Sequence, residues 1–275
     1  MEPNIGTLKQ NDNKQNWSNL SSMENRTIHV GRNFAQTFKA EKKHSKSRIA
    51  AFYDYDKTMI AKDSMSVECT EILIPNFGNT LYYIAMLGWV LLLDLLHISR
   101  FFPDFGCRQY FGLYRGLSLQ ALERLYEQVY ETHIRPLVFE EMIQNLEDHR
   151  ARGHLIVLIS ASPEHLVRPF AIEVQADLWA CTQLETVPSK SSNQICTGRV
   201  MGNICCAAEK TKVMQQIAQA YGVDLDQSYA YSDHYDDIPM LQAVANATVI
   251  HPNVALENVA KKNDWAISRP KLSLA

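Results

Sequence analysis

The sequence is short of several features, and each absence removes a class of protein. Six cysteines occur, Cys69, Cys107, Cys181, Cys196, Cys205 and Cys206, but none forms C-x-x-C and no His/Cys cluster has zinc spacing. Adjacent Cys205 and Cys206 make a poor disulfide, so the expectation is free thiols in a reducing compartment. The first thirty residues lack an apolar h-region, which predicts no secretory signal and a cytoplasmic protein. Internal repeats are absent. A basic body is absent too: beyond residue 48 there are 18 Lys/Arg against 26 Asp/Glu, which argues against a nucleic-acid-binding core. Residues 1–48 reverse the balance, with nine Lys/Arg against four Asp/Glu, a diffuse surplus that reads as a solvated segment able to touch anionic surfaces. Residues 1–47 are also poor in apolar side chains. "KQNDNKQNWSNLSSMENR" cannot bury enough surface to offset its ordering entropy, so this segment reads as a polar, disordered tail. Within it, "GRNFAQTFKAEKK" predicts at most a short helix.

From Arg48 the pattern changes. "RIAAFYDYD" is a short apolar run that ends in charge, as a buried parallel strand does. "HLIVLISAS" (154–162), "QSYAYSDHYDD" (227–237) and "ATVIHPN" (247–253) follow the same rule. Between them lie helical patterns, "PEHLVRPFAIEV" and "EKTKVMQQIAQAYG", the second closed by Gly222 at a C′ position. Strands alternating with helices predict an α/β fold with a parallel sheet, in which ligands bind outside the carboxyl ends of the strands. Residues 64–147 interrupt the alternation with helical patterns. They predict a cap inserted between the first and second strands of a core made from 48–63 and 148–275.

The strand ends carry the chemistry. Asp54 and Asp56 stand two apart, and neighbouring carboxylates are costly unless a cation sits between them or one is protonated. Mg²⁺ prefers carboxylate oxygens and keeps waters, so the pair suggests a magnesium site that Asp233 and Asp237 could complete. Ser160 at a helix mouth and Lys210 or Lys212 on a helix before the third strand are candidates to hold a phosphoryl group. "DYDKT" resembles the D-x-D-x-T signature of the haloacid-dehalogenase-like phosphohydrolases. "LISAS", Lys210 and "SDHYDD" resemble the second, third and fourth motifs of that family, in order, over residues 48–270. The resemblance is nearest to the phosphoserine-phosphatase-like subfamily, in a branch that includes a phosphatidylglycerophosphate phosphatase. It implies a three-layer Rossmann-like core with a small helical cap. It also implies Mg²⁺-dependent hydrolysis of a phosphate monoester, small or lipid-linked, through an aspartyl-phosphate.

By position, the resemblance makes Asp54 the nucleophile and Asp56 the general acid and base. Asp54, the Asp56 carbonyl, Asp233 and Asp237 become the metal set; Thr58, Ser160 and Lys210 hold the phosphoryl group. Lys57 stands where glycine or serine is common, and His234 with Tyr235 replaces Gly-Ala. Asp63, Arg115 and His234 are candidate substrate-specificity residues. Two rival functions stay open, phosphotransfer by the same residues and a non-catalytic phosphate-binding or scaffold protein.

Residues 80–98 form an apolar run with one charge, Asp94, near the length of a membrane span. Motif one precedes it and motif two follows it, so a single crossing would split the site across the bilayer. Two readings remain: a buried cap helix, or a segment in peripheral membrane contact. The sequence leaves the oligomeric state open.

Overall fold

The structure, a computed structural model, describes residues 28–30, 47–77, 81, 84–85, 88–89, 92, 110–189 and 193–272. The expected helix at 31–43, Cys107, and most of the apolar run, Asp94 among it, lie outside the described residues.

Strand β1 (Ile28–Val30) and strand β2 (Ala50–Tyr53) open the fold. The helical insertion between β2 and the next core strand begins with helix α1 (Ser64–Glu68), which continues through a π-helical turn (Cys69–Leu73) into Ile74–Phe77. It resumes in helix α2 (Leu119–Val129), and α3 (Glu140–Ala151) leads back to the core. There follow β3 (Leu155–Pro163), α4 (Glu164–Glu173), β4 (Leu178–Pro188), β5 (Gln194–Met201) and α5 (Ala208–Tyr221). The chain closes with β6 (Tyr229–Ser232), α6 (Ile238–Gln242), β7 (Asn246–Ile250), α7 (Val254–Lys262) and β8 (Ala266–Ser268).

The sheet runs β1-β4-β3-β2-β6-β7-β8, with β5 paired to β4. All pairings from β4 to β8 along that order are parallel; β1 and β5 are antiparallel additions to β4. Strand β2 is therefore central, flanked by β3 and β6, the place where crossovers turn in opposite directions and a crevice opens. Both sheet faces are covered, which is why these strands read as continuous apolar runs. Ala51, Tyr53, Ile156 and Leu158 pack into one core layer with α4, while Ala50, Phe52, Leu155 and Val157 pack into the other with α5 and α7. Gly222 ends α5 in the left-handed conformation, φ 68°, as its position suggested.

The helical insertion has its own apolar cluster, and the β4–β5 hairpin completes it. Leu73, Phe111, Tyr114 and Leu122 of the insertion pack against Leu184 and Cys196 of the hairpin.

On the α3 face, polar side chains form a chain inside the core. Tyr53 Oη donates to Asn145 (2.8 Å), and His149 Nε2 pairs with Tyr231 Oη (2.7 Å). His149 Nδ1 faces His154 Nδ1 at 2.8 Å, so one ring donates and the other accepts. Burial first, then His154 and Arg152, push His149 down to about 4, against a weaker pull from Asp148. The unfolded chain therefore binds a proton that the folded chain rejects between pH 6.5 and about 4. Stability is full above 6.5 and falls on acidification by up to about 1.4 kcal/mol per pH unit in that window. Urea melts at pH 7.5 and 5.0 should show the loss, and His149→Gln should shrink it; an equal slope in the variant would refute the assignment.

Candidate active site

The carboxyl ends of β2, β3 and β6 bring the motif residues together. Asp54 leaves β2 with its N–H donating to Tyr231 O (3.0 Å), so its carboxylate turns into the crevice. Lys210, in the first turn of α5, is buried, and its Nζ lies 2.6 Å from Asp54 Oδ1 and 2.7 Å from Asp237 Oδ2. Ser232 Oγ donates to the same Asp237 oxygen at 2.6 Å. Thr58 Oγ1 sits between Asp54 Oδ2 (3.5 Å) and Asp233 Oδ1 (3.4 Å).

Asp56 occupies a second cradle. The Ser64 N–H and Ser162 Oγ each donate to it at 2.6 Å, and Ser160 Oγ lies 3.4 Å away. Ser160 Oγ in turn accepts from the Ser162 N–H at 3.0 Å, fixing the turn that ends β3. The turn that carries Asp56 is tight. Lys57 adopts φ 56°, the left-handed region, which is the physical reason glycine suits that position.

Burial raises all three acids at the mouth. Asp54 is pushed up to about 7 by burial, against Lys210 and with Asp237 and Asp233 adding repulsion. Asp56 is pushed up to about 7 by burial and by Asp63, with Ser162 opposing. Asp233 rises to about 6, again by burial, against Lys210 and Lys57. Lys210 is pulled down by burial, but Asp237 and Asp54 outweigh that and hold it above its ordinary value, fully charged. Two buried carboxyls held well above their ordinary values and a fixed ammonium thus share one crevice.

The other candidates have partners of their own. Lys212 is exposed and pairs with Glu209 (3.0 Å), so the lysine at Asp54 is Lys210. The Asp63 carboxylate is occupied as the N-cap of α1, accepting from the Ser66 N–H (2.8 Å) and Ser66 Oγ (3.0 Å). Arg115 is exposed and packs its stem against Gly198 of the β4–β5 hairpin. His234 is exposed and caps the turn after β6, its Nδ1 accepting from the Asp236 N–H (3.2 Å).

Residues 51–242 match the model of the haloacid dehalogenase-like hydrolases. The chain belongs to that family. A phosphoserine phosphatase of Mycobacterium tuberculosis is 30% identical over 228 residues, covering 79% of this chain and 70% of that one. A Streptomyces azureus protein named for inhibition of morphological differentiation is 27% identical over 238 residues, 83% of this chain and 81% of that one. A solved structure of a phospho-aspartyl intermediate analogue of phosphoserine phosphatase shares the fold. Its TM-score is 0.55 at 17% identity, covering 83% of this chain and 96% of that one. The family read from "DYDKT", "LISAS", Lys210 and "SDHYDD", and the Rossmann-like core it implied, are borne out. This hydrolase is an enzyme of the phosphatase kind.

Sequence reasoning missed three groups that this hydrolase uses around its acids: Ser64 and Ser162 on Asp56, and Ser232 on Asp237. Ser162 was visible as the last residue of "LISAS". Ser64 and Ser232 carried no signal, because a serine beside a helix cap or a strand end has many ordinary uses.

Proposed function

We propose that this hydrolase releases phosphate from phosphomonoesters through an aspartyl-phosphate on Asp54. The observation that carries the reading is the buried Lys210 bridge between Asp54 and Asp237 beside the Asp56 cradle. In the first step an Asp54 oxygen bonds to phosphorus and the ester P–O bond breaks. The leaving oxygen takes the proton of Asp56. In the second step Asp56 takes a proton from water, the water oxygen bonds to phosphorus, and the bond to Asp54 breaks, releasing inorganic phosphate. Lys210, Ser160 and Thr58 hold the phosphoryl oxygens, and the site's low dielectric strengthens each contact.

The donor set fits Mg²⁺. Asp54, Asp233 and Asp237 stand around Lys210, the one buried Lys or Arg among the described residues, with Asp56 beside Asp54, so the crevice is short of positive charge. As the side chains stand, no three His, Cys, Asp or Glu among the described residues are grouped closely enough to hold a metal ion; Mg²⁺ would complete its shell with water. Asp54, the Asp56 carbonyl and Asp233 would hold it, with Asp237 in support. The ion would neutralise charge on the transferring phosphoryl group and reverse the upward shifts of its ligands.

The substrate belongs to the small or lipid-linked phosphate esters. Exposed apolar side chains support the lipid-linked end of that range. Leu81, Ile84, Trp89 and Leu92 are each helical and are 83%, 59%, 51% and 43% exposed. No helix among the described residues is long and apolar enough to cross a membrane; the contact proposed is peripheral. Phosphate release with and without Mg²⁺, across phosphoserine, phosphocholine, sugar phosphates, phosphatidylglycerophosphate and lysophosphatidate, tests both statements. Metal-dependent release is expected, greatest on the lipids, with Leu81→Glu/Trp89→Glu lowering co-sedimentation with anionic vesicles. Preference for a water-soluble ester, with unchanged sedimentation, would overturn the membrane reading and leave the hydrolase reading standing.

A further inference from the structure

Outside the motif residues, the cap and core meet in a second buried polar cluster. Glu68, at the end of α1, is fully buried, and its Oε1 lies 2.7 Å from Nε2 of His165 in the first turn of α4. Its other oxygen accepts from Tyr114 Oη, and Tyr110 Oη stands 3.2 Å away while also reaching Met65 O. His165 is itself buried, with the rings of Tyr114 and Tyr126 set edge-on against it.

Such a pair is a poor device for stability. Desolvating a carboxylate and an imidazole costs free energy that their attraction repays only with every remaining polar atom satisfied. Here that condition fails, because His165 Nδ1 is buried without a hydrogen-bond partner. An apolar filling of the same volume would hold the cap to the core at least as well.

What the pair does have is position. Glu68 lies one helical turn beyond Ser64, whose N–H holds Asp56, and His165 lies three residues beyond Ser162, whose Oγ holds Asp56. Ser64 Oγ also donates to Ser162 Oγ at 3.2 Å. Two rungs therefore join α1 to the β3–α4 junction: Ser64 with Ser162 at the carboxyl, and Glu68 with His165 one turn behind. The outer rung sets the angle at which both donors reach Asp56.

We propose that Glu68 and His165 are positioning residues that aim Asp56 at the leaving oxygen of the substrate. The proposal rests on the hydrolase reading above and adds a cap residue to its proton-transfer step. A misaimed Asp56 cannot deliver its proton, and that matters only where the leaving oxygen needs one. An alkoxide leaving group needs it; a p-nitrophenolate does not.

The test is single-turnover release of the leaving group from an alkyl phosphate and from p-nitrophenyl phosphate, which isolates the first step. Glu68→Gln keeps shape and removes the charge. It should slow alcohol release by roughly 10²-fold, the scale of general acid catalysis, and nitrophenolate release by less than about threefold. The paired variant Glu68→Leu/His165→Leu should be as stable as the parent or more so, and yet show the same selective defect. Equal losses on both esters, no loss on either, or a paired variant that restores alcohol release would each overturn the proposal. A parent protein that releases neither leaving group would instead refute the hydrolase reading, and the proposal would fall with it.

Discussion

Asp54→Asn is expected to lower phosphate release by on the order of 10⁴-fold or more, with the fold intact. The substitution keeps the side chain's shape, and an amide oxygen can still accept from Lys210 Nζ where Oδ1 does now at 2.6 Å. It removes one negative charge from a crowded group of carboxylates, so no new unpaired charge is buried. What it removes is the anionic oxygen proposed to bond to phosphorus; the neutral amide oxygen that replaces it is a far weaker nucleophile. The measurement is phosphate release beside a thermal melt, with borohydride trapping of the acyl phosphate in the parent. A midpoint within a few degrees of the parent, with activity gone and the adduct mapping to position 54, is the expected result. A folded variant that still turns over, or an adduct elsewhere, would move the nucleophile to another residue.

The part of this site that was legible in the sequence is the part written along single strands. Each of β2, β3 and β6 is an apolar run that stops on polar residues, because both sheet faces are covered while the strand ends open on a crevice. Two lysines, Lys210 and Lys212, open the helix before β6, and the family's helix length favoured Lys210; packing shows the difference, with Lys210 facing Asp54 and Lys212 paired with Glu209 on the surface. The hairpin strands β4 and β5 and the edge strands β1 and β8 were not legible. Their residues mix apolar and polar types, and β1 pairs with a partner about 150 residues away, a contact that no local pattern encodes. Glu68 was hidden for a related reason. A glutamate in a polar helical stretch reads as a solvated residue, and only the approach of Tyr114 and His165, from other elements, buries it. Asp63 carries two readings. The family resemblance made it a candidate substrate reader, and its place immediately before a helix makes it the N-cap that the structure shows.

Lys210→Met should be the most destabilising single change in the crevice, by about 3–5 kcal/mol. The ammonium lies between Asp54 and Asp237, and all three side chains are nearly inaccessible to water. Methionine fills much of the volume, so the loss measures charge and not packing. With the cation gone, two buried carboxylates face each other across an apolar side chain. Asp237 keeps Ser232 Oγ as a donor at 2.6 Å, but a hydroxyl neutralises no charge. The same reasoning predicts a partial cure. Lys210→Met/Asp237→Asn removes one of the two uncompensated charges, so its stability should exceed the sum of the single changes by about 1–3 kcal/mol, read from urea denaturation in a double-mutant cycle. Lys210→Arg should restore much of the charge balance without restoring turnover, because a planar guanidinium cannot stand where a compact ammonium meets two carboxylates and a phosphoryl oxygen. An additive cycle, or a Lys210→Met loss below about 1 kcal/mol, would mean that the three groups are not one electrostatic unit. Asp54 would then owe its place to the backbone of β2 alone, and Lys210 would act on substrate without organising the crevice beforehand.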